Sequence, residues 1–230
     1  MSGMQISARR PRLDPGALVD ALARCGVVLW FGTVAYTFAP GIAKAYMALA
    51  FDDPLAVMAL ISSACLFCFY LLIVWLTLIR TRPIAKLPGL RARLEAALGA
   101  FLVYALPFLP RTELGTAGHI LSTVLMGGGT GLALVVLSRL GRSFSIMPEA
   151  RGLVTGGPYR IVRHPLYLAE AVAMIGAAMQ FAWLPAVALV AAQWLFQIRR
   201  IFNEEAVLRQ TFPDYPAYMR RTARLIPFLW

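Results

Sequence analysis

The 230-residue chain is 60% hydrophobic and only 14% charged, with a mean hydropathy of +0.69. A soluble domain of this size needs a charged surface to meet water, and these charges are too few to cover one, so the composition points to a membrane protein. The net charge of +11 does not indicate nucleic acid, because the basic residues gather between apolar runs and not on an aromatic, water-facing surface.

Residues 1–17 are polar and basic, with Arg9, Arg10 and Arg12 around Pro11, and read as a cytoplasmic tail. The first apolar run, residues 18–39, can span a hydrocarbon core of about 30 Å at about 1.5 Å per residue, and is expected to be retained and not cleaved. Arg24, near its start, can snorkel to the interface. Further spans are expected over Pro54–Ile79, residues 94–109 and residues 118–140. Cys25, Cys65 and Cys68 all lie in apolar runs, which suits neither a disulfide framework nor a four-ligand zinc site; the Cys65/Cys68 pair is read as helix packing. In the fourth span, Gly127 and Gly131 have the small-xxx-small spacing that lets helix backbones approach. The surrounding glycine run is not a nucleotide-binding loop, since no strand precedes it. Residues 165–198 are too long for one crossing and are interrupted at Trp183, Leu184 and Pro185, so a tight helical hairpin is expected there.

The basic residues test this layout, because short cytoplasmic loops carry the excess of Lys and Arg. Nineteen of the 22 fall in the tail, in residues 80–93 and 139–165, and from Arg199 onward; Lys44 and Arg111 alone fall on the opposite side. The fold expected is all-α: a polytopic transmembrane bundle with about six crossings, the last two forming the hairpin, both termini cytoplasmic, and a C-terminal interfacial helix. The chain divides into a tail (1–17), four transmembrane helices (18–140), and a C-terminal region of loop, hairpin and cytoplasmic segment (141–230).

Ligand-binding side chains concentrate in residues 140–170, LGRSFSIMPEARGLVTGGPYRIVRHPLYLAE. His164-Pro165 opens the fifth span, where proline suits the first helical position and the first-turn N–H groups attract anions. Arg163, Tyr167 and Glu170 are spaced four and three, so they share one helix face. On the returning arm Gln193, Gln197, Arg200 and Glu204 form a second polar stripe by the same spacing. Two such stripes on helices joined by a hairpin are expected to converge on one pocket. Polar side chains in spans also simply tie helices together, at about 0.6–2 kcal/mol each. A carboxylate there costs about 2.5–3.5 kcal/mol and is usually paired or functional. With Arg163, His164, Tyr167, Glu204 and Glu205 clustered, the functional reading is preferred. Phe212, Tyr215, Tyr218, Phe228 and Trp230 among Arg220, Arg221 and Arg224 suit both a site and an anionic membrane surface.

The run GGPYRIVRHPLYLAE, followed by RIFNEEAVL and FPDYPAYMRRTARLIPF, resembles the isoprenylcysteine carboxyl methyltransferase family and its phospholipid N-methyltransferase relatives over about the last 90 residues. Ala169 stands where the family pattern RHPxYxG usually has glycine, a departure that bears on the substrate more than on the cofactor. The resemblance implies S-adenosylmethionine-dependent methyl transfer to a lipid-like or prenylated acceptor, with no metal. It also implies cofactor binding by Tyr159, Arg163, His164, Pro165, Tyr167, Glu204 and Glu205, with catalytic roles for Glu170 and Arg200. Arg163 and His164 suit the cofactor's carboxylate, Glu204 and Glu205 its ammonium or ribose hydroxyls, and Tyr159 or Tyr167 its sulfonium through cation–π contact. The acceptor's head group is left open among carboxylate, amine and thiol. Two rivals are an NADPH-dependent membrane reductase of the sterol-reductase type, whose members generally have more spans, and a non-catalytic scaffold, which has no need of the charged cluster.

Overall fold

The computed structural model describes residues 15–49 and 52–227. Arg9, Arg10, Pro11, Arg12, Phe228 and Trp230 lie outside them. Seven α-helices follow in order: α1 (Pro15–Met47), α2 (Pro54–Ile79), α3 (Leu90–Phe101), α4 (Thr116–Leu140), α5 (Pro165–Ala178), α6 (Trp183–Thr211) and α7 (Tyr215–Arg221). The architecture is the all-α membrane bundle expected. Segments Leu18–Met47, Pro54–Ile79 and Thr116–Ser143 are long and apolar enough to cross a membrane, and α5 is a shorter apolar helix. Leu22, Leu29, Trp75, Leu78, Leu121 and Val135 are all exposed on these helices. Water would penalise so continuous an apolar surface, and lipid does not.

α2 starts and stops where its sequence dictates. Asp53 caps it, accepting from the N–H groups of Leu55 (2.9 Å) and Ala56 (3.3 Å), and Pro54 occupies the first turn. Three expectations are revised. α1 continues past Ala39 through Pro40 to Met47, since in lipid the helix remains the best arrangement for backbone polar groups even with one bond lost. The third apolar run is not one α-helix: α3 begins at Leu90, after Gly89 at φ 107°, and from Leu102 to Phe108 the chain tightens into a 3-10 helix containing Pro107. Trp183, Leu184 and Pro185 do not interrupt a helix but form the first turn of α6, the hairpin turn itself falling at residues 179–182.

The glycines of α4 work differently from the expected small-xxx-small pair. A Cβ at Gly127 would strike Ser62 of α2, and one at Gly129 would lie 2.9 Å from the Ala169 carbonyl of α5, whereas Gly131 faces open space. The close contacts thus lie on two faces, toward α2 and α5. Gly176 on α5 completes the α4–α5 contact: its missing side chain would meet Ser122 O at 2.7 Å and Met126 N at 2.8 Å.

α5 lies along α4, and α6 lies along α3, so the hairpin's two arms diverge from their turn with little mutual contact. The turn is anchored to the loop before α4 by Thr112 N–H donating to Gln180 O (3.1 Å) and Ala182 N–H to Pro110 O (2.8 Å). At the opposite end a two-residue antiparallel ladder pairs β1 (Ala85–Lys86) with β2 (Glu149–Ala150). Arg24 pairs with Asp20 at 2.8 Å and donates to the carbonyls of Thr77, Leu78 and Arg80, satisfying the C-terminus of α2. Arg80 (3.1 Å) and the enclosed Arg151 (3.4 Å) meet the same Asp20, and Arg151 also pairs with Glu149 at 2.5 Å and donates to Thr81 O. One carboxylate on α1 thus moors the loop between α4 and α5 to the first two helices.

Candidate functional site

The loop after α4, the start of α5, the polar end of α6 and α7 enclose a cleft of about 100 Å³. Its walls include Ser143, Phe144 and Met147 of the loop, Tyr159, Arg163, His164 and Tyr167, then Arg200 and Glu204 of α6, and Tyr215 and Tyr218 of α7. Pro165 sets the first turn of α5, with His164 as its N-cap residue. The C-terminal segment fixes this corner, as Arg163 N–H donates to Ala223 O (2.8 Å) and His164 N–H to Arg224 O (3.0 Å).

Each candidate has a definite place. The His164 ring stacks on Tyr167, with centroids 5.4 Å apart and planes 6° from parallel. The Tyr167 hydroxyl donates to Glu204, whose same oxygen accepts from Arg200 Nε at 3.0 Å, and the Arg200 guanidinium lies 4.8 Å from the Tyr167 ring centroid. Imidazole, phenol and guanidinium therefore form one stack tied to a single carboxylate. The Tyr218 hydroxyl donates to Tyr159 O at 2.6 Å, clamping α7 on the loop.

Glu205 lies behind the cleft wall and not in it. It is 2% exposed, and its oxygens meet Arg163 Nε (2.8 Å), Arg224 Nη2 (3.0 Å) and His164 Nε2 (3.4 Å). Burial acts to raise its pKa, but the bonds from His164, Arg224 and Arg163 outweigh burial and hold it at about 2. Arg163 is engaged further with the carbonyls of Met219 and Thr222. Its charge is thus largely spent on folding the C-terminal segment onto the cleft. Burial pushes Tyr218 up to about 12 and raises Tyr159 and Tyr215 as well, so all three remain hydroxyl donors at neutral pH.

Glu170 faces a second, larger cavity of about 330 Å³. The divergence of α5 from α6 opens this chamber, and α1 and α2 complete it with Phe31, Phe38, Phe69 and Tyr70. Gln193 and Gln197 lie in its wall, Gln193 donating to Gly99 O at 2.7 Å. The two polar stripes do converge: Tyr167, Glu170, Gln193, Gln197 and Arg200 all line this chamber. Phe144, Leu166, Tyr167 and Arg200 line both cavities, so they form the partition between the charged cleft and the apolar chamber.

The sequence reading expected the loop before α5 to cover the site but did not single out Ser143, Phe144, Met147, Leu153 and Val154, which follow no helical or strand period. It also missed Asp20, whose mark was an acidic residue at the start of an apolar run followed four residues later by an arginine. Among the described residues, no group of three or more His, Cys, Asp or Glu side chains is placed to hold a metal ion.

A helical membrane protein with a charged cleft at one end and an apolar chamber against it is the class that fold and site define. Residues 117–215, a stretch that carries most of the residues lining both cavities, match the family model of phospholipid methyltransferases. The chain is 35% identical over 96 residues to protein-S-isoprenylcysteine O-methyltransferase A of Arabidopsis thaliana, covering 39% of this chain and 49% of that protein. It is 29% identical over 112 residues to the nickel-cobalt-cadmium resistance protein NccN of Alcaligenes xylosoxydans xylosoxydans, covering 48% and 53%. It is 30% identical over 104 residues to the cobalt-zinc-cadmium resistance protein CzcN of Cupriavidus metallidurans, covering 44% and 48%. The chain spans about half the length of the curated relatives it matches.

Proposed function

We propose that this protein is a membrane-embedded methyltransferase that binds S-adenosylmethionine in the charged cleft and a lipid-like acceptor in the apolar chamber. The observation that carries this reading is the shared partition: Tyr167 and Arg200 line both cavities, so groups held on either side meet across one wall. When bound, the cofactor supplies an electrophilic methyl on a sulfonium. The cleft has the chemistry to hold it. His164 lines the cleft at an anion-attracting helix N-terminus beside Arg163, whose charge is shared with Glu205, Glu204 offers an acceptor for ammonium or hydroxyl, and the Tyr159 ring is available to a cation.

The work left to the protein is alignment and exclusion of water. Glu204 fixes the Tyr167 hydroxyl and the Arg200 guanidinium together, and the stacked His164 ring keeps Tyr167 from rotating. Glu170, on the chamber side one helical turn beyond Tyr167, is placed to hold or take a proton at the acceptor. The excess of basic residues supports a cytoplasmic cleft with both termini on that side, six crossings in all, and the three-part division into tail, first four helices and C-terminal region. Isothermal titration of the purified protein in detergent with S-adenosylmethionine and with NADPH tests the assignment. Saturable binding of the first alone is expected; binding of NADPH alone would replace it with the reductase reading.

A further inference from the structure

The loop between α4 and α5 supplies much of the cleft wall, with Ser143, Ser145, Glu149 and Gly152 among the lining residues. Its position is set at Arg151, whose side chain is fully enclosed. Arg151 Nη2 lies 2.5 Å from Glu149 Oε2 and 3.4 Å from Asp20 Oδ1, and Nη1 donates to Thr81 O. The same Glu149 oxygen accepts from Ser145 Oγ at 3.1 Å. Gly152, the next residue, packs so closely on Ser143 that a Cβ would lie 2.6 Å from its Oγ. A shift of Arg151 therefore passes directly to these four lining residues.

The segment to which the loop is zipped, residues 81–87, converges on the same carboxylate. Thr81 N–H donates to Arg142 O (3.1 Å), Ile84 N–H to Ala150 O (2.7 Å) and Leu87 N–H to Pro148 O (3.1 Å). At the head of this segment Arg80 meets Asp20 at 3.1 Å, and Arg24 pairs with Asp20 while donating to the Arg80 carbonyl at 3.1 Å. Asp20 thus compensates three guanidinium groups, of which those of Arg80 and Arg151 are enclosed.

We propose that Asp20 is a positioning residue for the cleft: through Arg151 it holds the loop wall in the arrangement that binds the cofactor. This rests on the methyl-transfer reading above, which takes S-adenosylmethionine as the ligand of the cleft. Asp20 lies on α1, outside residues 117–215 and outside the cleft lining, so its influence is indirect and electrostatic. Without its charge, two enclosed guanidinium groups are left with Glu149 as the remaining carboxylate of the cluster. The relief open to Arg151 is to move toward water, and Glu149, Ser145 and Gly152 move with it.

Asp20→Asn keeps the side chain's size and removes its charge, whereas Asp20→Glu keeps the charge. Cofactor affinity is measured by titration calorimetry in detergent, and local opening by amide hydrogen exchange over residues 141–154, with α5 and α6 as internal reference. Asp20→Asn is expected to raise the dissociation constant for S-adenosylmethionine about tenfold and to speed exchange over residues 141–154 by a similar factor, with α5 and α6 within about twofold. Asp20→Glu is expected to restore affinity to within about threefold of the wild type. Arg151→Gln alone leaves no enclosed guanidinium at that position, and serves if Asp20→Asn does not fold; it is expected to show the same loss. The double variant is expected to lose no more than about twofold beyond either single one, because both act on one contact. Unchanged affinity in Asp20→Asn and Arg151→Gln overturns the proposal, as does faster exchange spread evenly over the chain or an additive loss of about a hundredfold in the double variant. If the wild type does not bind S-adenosylmethionine, the methyl-transfer reading falls instead, and exchange over residues 141–154 in the variants still decides whether Asp20 holds the wall.

Discussion

Replacing Glu205 by glutamine tests whether the ion cluster behind the cleft holds the C-terminal segment in place. A carboxyl held at about 2, where 4.5 is ordinary, contributes about 3 kcal/mol at neutral pH, since one pH unit of displacement corresponds to about 1.4 kcal/mol. Water at the membrane surface screens part of this and leaves about 2 kcal/mol. The sign follows from the depressed value: the contribution is complete above pH 4.5 and is lost as pH falls toward 2. Glu205→Gln removes it at every pH and leaves Arg163 and Arg224 without their carboxylate. At about 2–4 °C per kcal/mol for a chain of this size, the variant is expected to melt about 4–8 °C below the wild type at pH 7. Melting both proteins in detergent from pH 7 to pH 3 gives the measurement, with the gap narrowing once pH drops below 4.5. A gap that stays constant across this range, or no gap at all, would refute the assignment of Glu205 to a charge-paired anchor.

Other substitutions probe the cleft, the packing and the orientation. His164→Ala removes the ring stacked on Tyr167 and a cleft donor, so the dissociation constant for S-adenosylmethionine is expected to rise about tenfold, or about 1.4 kcal/mol, by titration calorimetry. Gly176→Val forces a side chain against the α4 backbone at Ser122 and Met126; a loss of about 1–3 kcal/mol is expected, read as a lower melting temperature and a reduced folded yield. Cysteine labelling tests the orientation. Arg151 is enclosed and unsuitable, but Arg160 is exposed, so Arg160→Cys in a background lacking Cys25, Cys65 and Cys68 is expected to resist impermeant thiol reagents in intact cells and to react after lysis.

Local signals were readable in the sequence and long-range partners were not. The bounds of α2 were legible because Asp53-Pro54 makes a helix start and an unbroken apolar run follows. The stripe of Gln193, Gln197, Arg200 and Glu204 was legible because helical spacing alone places it on one face, and Gln193, Gln197 and Arg200 line the chamber while Arg200 and Glu204 line the cleft. The same geometry separates Glu204 from Glu205: one residue further turns the side chain about 100° around the helix, into the guanidinium groups of Arg163 and Arg224. That pairing depends on the C-terminal segment returning to the start of α5, which no local pattern reveals. The start of α3 was obscured by its own charges, Arg91, Arg93 and Glu95, which look like a loop until Glu95 is seen paired with Arg91 (3.0 Å) and Asn203 (2.7 Å). The loop between α4 and α5 owes its path to the carbonyls and carboxylates that Arg151 reaches, and these lie on α1, on β2 and after α2.

The partition between cleft and chamber also separates what the family match covers from what it leaves out. The cleft is built almost wholly within residues 117–215, whereas the far wall of the chamber comes from α1, α2 and the turn after α3, through Phe31, Phe38, Leu66, Tyr70 and Tyr104. Mutations of those wall residues in the outer helices can reshape the chamber without disturbing the residues that line the cleft. The family match over residues 117–215 therefore bears on the cleft and is nearly silent about the far wall of the chamber. On the methyl-transfer reading proposed above, exchanging the first three helices between proteins that share this region is the direct way to move a substrate preference between them.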